Sequence, residues 1–210
     1  MSIISINNAT KSFKKNLLLE NINLDIEKGK IYGIIGPNGS GKSVLFKMIC
    51  GFMFPDRGDI FINGEKIGKK KRFPDNFGVI IERPGYIANK TGFQNLKELS
   101  LIRGKINDAQ IIKTMELVGL NPNSDQKVKN FSLGMKQKLA ICQAIMEEQQ
   151  VLILDEPFNA LDIDSVKKIR NLLLKFKDEG RTILLTSHNQ EDINICDMVY
   201  RINGHTLESV

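Results

Sequence analysis

Residues 36–43 read Gly36-Pro37-Asn38-Gly39-Ser40-Gly41-Lys42-Ser43, a complete G-x-x-x-x-G-K-S pattern, and its flanks restrict the fold further. The apolar stretch Ile31-Tyr32-Gly33-Ile34-Ile35 precedes it and Val44-Leu45-Phe46-Lys47-Met48-Ile49 follows, so the loop lies where a strand gives way to a helix. Glycines there let successive backbone N–H groups turn inward, and the helix N-terminus adds a partial positive charge facing the same space. Lys42 is placed to reach β- and γ-phosphates and the Ser43 hydroxyl to bind Mg²⁺, with Val44 opening the helix behind them. The stretch from Gly36 to Val44 therefore implies a site for a nucleoside triphosphate.

The remaining composition is compatible with a globular α/β chain. Of the 210 residues 41% are hydrophobic and 26% charged, enough apolar material for a substantial core. No stretch approaches the ~18 apolar residues of a membrane span, and the N-terminus lacks a basic region followed by an apolar one. Cys50, Cys142 and Cys196 are odd in number and lack C-x-x-C spacing, which fits free thiols in a reducing cytoplasm. The net charge of 30 − 24 = +6 favours an anionic neighbour without naming it. Its densest run, Lys69-Lys70-Lys71-Arg72 after Lys66, reads as a solvated loop or as a contact for acidic headgroups or nucleic acid.

Periodicity divides the chain. The first 30 residues alternate apolar and polar (Ile4, Ile6; Ile22, Leu24, Ile26) as half-buried strands do. Asn63-Gly64 marks a hairpin turn, and residues 77–81 form a short apolar strand. From about 86 to 148 the period becomes helical. Ile111, Met115 and Val118 share a face between a predicted N-cap at Asp108 and a stop at Gly119, and Ser132 caps a second helix whose face is Met135, Leu139, Cys142 and Ile145. Residues 151–154 and 182–185 are continuous apolar runs, as in parallel strands covered on both faces. Between them Val166, Ile169, Leu172, Leu173 and Phe176 form one stripe that ends at Gly180. The predicted fold is α/β: a phosphate-loop NTPase core with an N-terminal antiparallel β subdomain and an inserted α-helical subdomain, one domain over residues 1–210.

The apolar run 151–154 ends in Asp155-Glu156. A buried strand brings its tip beside the phosphate loop, where ligands gather in open α/β sheets. Asp155 suits Mg²⁺, usually through water, and Glu156 suits accepting a proton from an attacking water. Four further pieces carry a family resemblance: Asn130-Phe131-Ser132-Leu133-Gly134-Met135-Lys136-Gln137 in the place of a signature motif, Pro157-Phe158-Asn159-Ala160-Leu161-Asp162 as a D-loop, Thr186-Ser187-His188 as a switch-histidine loop, and Phe13 as an adenine-stacking aromatic. In order and spacing they span nearly the whole chain, which resembles an ATP-binding subunit of an ABC transporter.

The resemblance implies an ATPase using ATP and Mg²⁺, with Phe13 stacked on the base, or else a strand-end core aromatic, and His188 bonded to the γ-phosphate, or else structural. It implies that Ser132 and Gly134 act in trans on the triphosphate of a second ATP-binding subunit, a homodimer in the simplest case. It also implies a separate transmembrane permease, a position on the cytoplasmic face of the membrane, and no nucleic-acid partner. Non-transport ABC ATPases, acting on nucleic acid or as assembly scaffolds, are the competing class.

The pattern departs from the family at Leu133 and Met135, where Gly and Gln are usual, at Val44, where Thr is common, and at Glu82. Aligned on Pro84 and on Thr91-Gly92-Phe93-Gln94-Asn95-Leu96, Glu82 occupies the Q-loop glutamine position. A carboxylate only accepts hydrogen bonds and adds a full charge, so Glu82 is a further candidate Mg²⁺ ligand, or else a solvent-facing loop residue. Together with the Ser-Leu-Gly-Met-Lys-Gln signature, it resembles the ATPases of bacterial exporters for lantibiotics and bacitracin-like peptides.

Overall fold

The computed structural model describes residues 2–14, 16–68, 73–82 and 85–210; the Lys69–Arg72 basic run, and Arg83 and Pro84 beside Glu82, lie outside the described residues. Strands β1 (Ser2–Phe13) and β2 (Asn16–Glu27) form a long antiparallel pair, and β3 (Ile31–Ile35) runs into the phosphate loop and α1 (Lys42–Ile49). A hairpin of β4 (Arg57–Ile62) and β5 (Glu65–Lys66) follows, then β6 (Phe77–Ile80). Three helices come next, α2 (Gly92–Arg103), α3 (Asp108–Val118) and α4 (Leu133–Ile145). The chain continues through β7 (Val151–Leu154), α5 (Ile163–Asp178), β8 (Thr182–Thr186), α6 (Gln190–Ile193), β9 (Met198–Asn203) and β10 (Thr206–Ser209).

The strands make two sheets, one in the order β2-β1-β4-β5 and one in the order β10-β9-β3-β8-β7-β6. Every pairing in the larger sheet is parallel except that of β9 with β10. Because successive side chains of a strand point to opposite faces, the continuous apolar runs feed two cores. Leu152, Leu154, Ile183 and Leu185 meet α2–α5 on one face. Ile153, Leu184, Tyr32 and Ile34 meet α1 and the antiparallel sheet on the other. Helix α1 is thus held between two sheets, with Leu45, Phe46, Met48 and Ile49 fully buried, each such side chain contributing about 1.5–3 kcal/mol.

Several boundaries differ from the sequence expectation. Asn107, not Asp108, caps α3: its side-chain oxygen accepts from the Gln110 N–H at 3.0 Å. Asp108 lies in the first turn, where its charge faces the helix N-terminus, and pairs with Lys97. The helical segment begins at Gly92 because Thr91 and Gln94 form a reciprocal capping box there. The Asn63-Gly64 turn is as expected: both residues are left-handed, with φ of 51° and 78°, the type I′ geometry that matches strand twist. Gly119 and Ser132 also act as the expected stop and cap.

Gly78 on β6 is the tightest contact between the larger sheet and the helices, since a Cβ there would stand 1.8 Å from the Ala144 carbonyl oxygen. The obstacle is backbone and cannot rotate away. Gly78→Ala is expected to cost about 1–3 kcal/mol or more in urea unfolding by forcing α4 off the sheet.

Candidate functional site

The phosphate loop connects β3 to α1, and its glycines are required by both conformation and space. Gly36 has φ 151°, and a Cβ there would come within 2.9 Å of the Ile202 carbonyl oxygen; Gly41 has φ 106°, and a Cβ would come within 2.9 Å of Leu19. Gly41 occupies the N-cap of α1 and makes no side-chain cap, so the first-turn N–H groups have no side chain satisfying them. Lys42 folds back over the loop and donates to the carbonyls of Gly36 at 2.7 Å and Pro37 at 3.2 Å. Ser40 Oγ is buried with no hydrogen-bond partner. A loop with a buried orphan hydroxyl, uncapped helix N–H groups and a folded-over ammonium fits a polyphosphate anion.

Opposite the loop, Asp155 at the tip of β7 accepts two hydrogen bonds from hydroxyls, from Ser43 at 2.5 Å and from Thr186 at 2.7 Å. Thr186 Oγ1 in turn accepts from the Glu156 N–H at 2.8 Å. Glu156 is left-handed, with φ 50°, which turns its carboxylate out of the strand direction. His188 Nε2 stands 2.8 Å from Glu156 Oε1, yet no donor is aligned well enough to satisfy that buried oxygen. Asn38, Gly39, Lys42, Ser43, Val44, Asp155, Glu156 and His188 line one cleft of about 240 Å³. The structure thus brings the loop, both carboxylates and the histidine together. The hard oxygens of Ser43 and Asp155 fit Mg²⁺, which typically takes one or two protein oxygens and completes its shell with phosphate and water.

Other candidates stand elsewhere. Phe13 ends β1, 43% exposed, with Lys11 Nζ 5.6 Å from its ring centroid; the side chain lining the cleft from this direction is Leu18 of β2. Glu82, left-handed with φ 61°, pairs its carboxylate with Lys47 of α1. Ser132 caps α4, its Oγ accepting from the Met135 N–H at 3.1 Å. Asp162 caps α5, accepting from the Ser165 N–H at 2.8 Å and hydroxyl at 2.9 Å. Ser132, Gly134, Ala160 and Asp162 line a second cleft. Gly134 is needed where these loops touch, since a Cβ would lie 2.7 Å from the Ala160 carbonyl oxygen.

Sequence reasoning gave no role to Thr186, Leu18, Lys47 or Gln137. Gln137 of α4 donates to the carbonyls of Glu156 at 3.3 Å and Pro157 at 3.0 Å, tying the helix after Ser132 to the carboxylate loop. Lys47 had a readable signal, because it lies one turn beyond Ser43 on the same helical face.

Comparison with known proteins identifies the family. A family-wide sequence model described as ABC transporter matches residues 19–159. The ABC transporter ATP-binding protein YybJ of Bacillus subtilis is 43% identical over 99% of this chain and 95% of its own length. The bacitracin transport ATP-binding protein BcrA of Enterococcus faecalis is 38% identical over 99% of this chain and 69% of its own length. The lantibiotic transport ATP-binding protein SrtF of Streptococcus pyogenes is 37% identical over 89% and 80%. In fold, the chain matches a dimeric ATP-binding cassette in a post-hydrolysis state bound to ADP and Pi, with TM-score 0.87, 24% identity and 98% coverage of each chain.

Burial pushes the Glu156 carboxyl above its ordinary value of 4.5; His188 and Lys42 oppose that rise and Asp155 adds to it. A raised pKa means that the folded protein holds this anion less readily than the unfolded chain does, so the charge costs stability above that pKa. Glu156→Gln is expected to raise Tm at neutral pH, with the gain shrinking as pH falls through the raised pKa and the native acid also becomes neutral. Thermal unfolding from pH 4 to 8 checks this.

Proposed function

The chain belongs to the ABC transporter family as an ATP-binding, ATP-hydrolysing subunit, and we propose that two copies pair to power a separate membrane-spanning permease that exports lantibiotic- or bacitracin-type peptides. The cleft that joins Lys42, Ser43, Asp155, Glu156 and His188 carries the catalytic part of this reading. The cargo class comes from the bacitracin and lantibiotic transport relatives. Among the described residues no helix is long and apolar enough to cross a membrane, and the proposed location is the cytoplasmic face, on the permease.

In the proposed reaction Lys42 exchanges the Gly36 and Pro37 carbonyls for the β- and γ-phosphates, a charge-assisted contact stronger than the neutral ones it replaces. Mg²⁺, held by Ser43 and Asp155, would neutralise charge on the same phosphates. Glu156 Oε1, buried without an aligned donor, takes a proton from water as the water oxygen bonds to the γ-phosphorus and the bond to the β-phosphate oxygen breaks. His188 donates to a γ-phosphate oxygen and holds Glu156 in place. Phe13 and Leu18 form the apolar side facing the base. Ser132 and Gly134, at the start of α4, present N–H groups and a hydroxyl to the triphosphate of the partner copy. Glu82 belongs to the coupling region: with Lys47 it links the phosphate-loop helix to the segment before α2, and it is a further oxygen for the cation if the pair opens.

Glu156→Gln is expected to slow hydrolysis by ~10²–10⁴ while ATP with Mg²⁺ converts monomer into a stable dimer in size-exclusion chromatography. A variant that stays monomeric at every concentration would overturn the composite site, and one that hydrolyses at the wild-type rate would remove Glu156 from catalysis. Glu82→Gln is expected to cut the stimulation of ATPase by the native permease more than the basal rate, and peptide export with it. If ATPase in partner-containing membranes and export both match wild type, Glu82 has no coupling role.

A further inference from the structure

Behind the cleft, α5 sends one side chain against both α6 and the loop after Glu156. Arg170 donates through Nε at 2.8 Å and Nη2 at 2.5 Å to Asp192 Oδ1, and through Nη1 and Nη2 at 3.3 Å to Glu191. Asp192 is 3% exposed, too buried to hold a charge without such a partner. Its other oxygen, Oδ2, accepts from the Ser187 hydroxyl at 2.6 Å, and Ser187 Oγ accepts from the Asn189 N–H at 3.0 Å. The guanidinium also lies 5.9 Å from the ring centroid of Phe158, a buried residue of the loop between Glu156 and Asp162.

Ser187 sits between a residue hydrogen-bonded to Asp155 and Glu156 and a residue of the cleft. Thr186 before it is bonded to Asp155 and to the Glu156 N–H; His188 after it faces Glu156 Oε1. The backbone around His188 is therefore held forward by Thr186 and backward by Ser187. The backward anchor reaches α5 through Asp192 and Arg170. Neither residue lines the phosphate-loop cleft, so neither is placed to touch a triphosphate bound there.

We propose that Arg170, Asp192 and Ser187 form a positioning relay that fixes His188 against Glu156 and, through Phe158, sets the adjoining D-loop segment. The inference rests on the catalytic reading of Glu156 and His188 given above. The relay acts on kcat rather than on ATP affinity, because its end point is the orientation of the imidazole and not the phosphate loop. Misplacement of a reacting group by about 1 Å costs on the order of 100-fold in rate.

The test uses the full chain with Arg170→Ala, Arg170→Lys and Ser187→Ala, each alone and on a His188→Ala background, with Glu156→Gln as reference. Arg170→Ala and Ser187→Ala are expected to lower kcat roughly 10–100-fold while ATP binding matches wild type. Arg170→Lys, which keeps a cation on Asp192, recovers part of the loss. On the His188→Ala background the same changes have little further effect in single-turnover assays, as coupled groups do. The chain has two histidines, so the His188 ring resonances should move while those of His205 serve as control. Ser187→Ala leaves the Arg170–Asp192 ion pair intact and decides the matter if Arg170→Ala does not fold. Wild-type kcat in Ser187→Ala, or equal fractional losses with and without His188, overturns the relay. Wild-type turnover in Glu156→Gln overturns instead the catalytic reading on which it rests.

Discussion

The hydrogen bonds that converge on Asp155 are the constraint on which the cleft depends. One carboxylate at the end of β7 accepts a hydrogen bond from Ser43, in the first turn of α1, and another from Thr186, the last residue of β8. Three chain segments distant in sequence are thereby fixed at one point, at the carboxyl ends of adjacent parallel strands, where such sheets leave a crevice. Thr186 extends the arrangement by receiving the Glu156 N–H, so the acid next in sequence is placed by the same hydroxyl. Both hydroxyls that reach Asp155 satisfy a half-buried carboxylate, since a polar group drawn away from water needs such partners.

Much of this was legible because it is written in local patterns. The phosphate loop needs left-handed glycines at fixed offsets, the parallel strands need unbroken apolar runs, and the Asn63-Gly64 turn needs two residues that tolerate positive φ. The ABC fold and family followed from the order of these pieces. What escaped was non-local or a choice between chemically equivalent neighbours. Asn107 and Asp108 are both good caps, and only the backbone decides which one sits outside the helix. Leu18 of β2 lines the cleft, and no motif in the sequence marked it. The pairing of Glu82 with Lys47 spans 35 residues, and no periodicity connects a loop carboxylate with a helix lysine. The Arg170–Asp192 contact is hidden for the same reason, since the sequence presents it as one solvated helix charge and one loop acid.

The positions of the two clefts bear on why an ATPase of this kind would work in pairs. The first joins the Ser43 and Asp155 oxygens, Glu156 and the phosphate loop, and on the proposed reading it is open on the side where a γ-phosphate would leave. The second, at the start of α4, offers N–H groups and the Ser132 hydroxyl with no phosphate loop beside them. Leu133 is 68% exposed there and Ile163, at the start of α5, is 87% exposed. Exposed apolar side chains at the first residues of α4 and α5 are a poor solvent-facing surface and a reasonable contact for a second copy. In an isologous pair each second cleft can cover the other copy's first cleft, so the pairing repeats twice about one axis.

Such a geometry makes nucleotide a term in the association equilibrium. A ligand held between two copies stabilises the pair by mass action over the separated chains, and the stabilisation ends when the ligand is cut. On that reading hydrolysis would leave two anions where one polyphosphate stood, and the γ-phosphate facing the partner's N–H groups would no longer be bonded to the nucleotide held by the first copy's loop. Closure and opening then follow from the chemistry itself, with no separate trigger. On the proposed reading, the relay that sets the angle of His188 to Glu156 would govern how long the closed state lasts, because it would set the rate of the cut. A permease attached near the Lys47–Glu82 pair would sense the same cycle from the opposite end of α1. The eight-residue helix, buried between two sheets, is stiff enough to carry a displacement of its phosphate-binding end to its last turn, since a close-packed core transmits strain and does not absorb it.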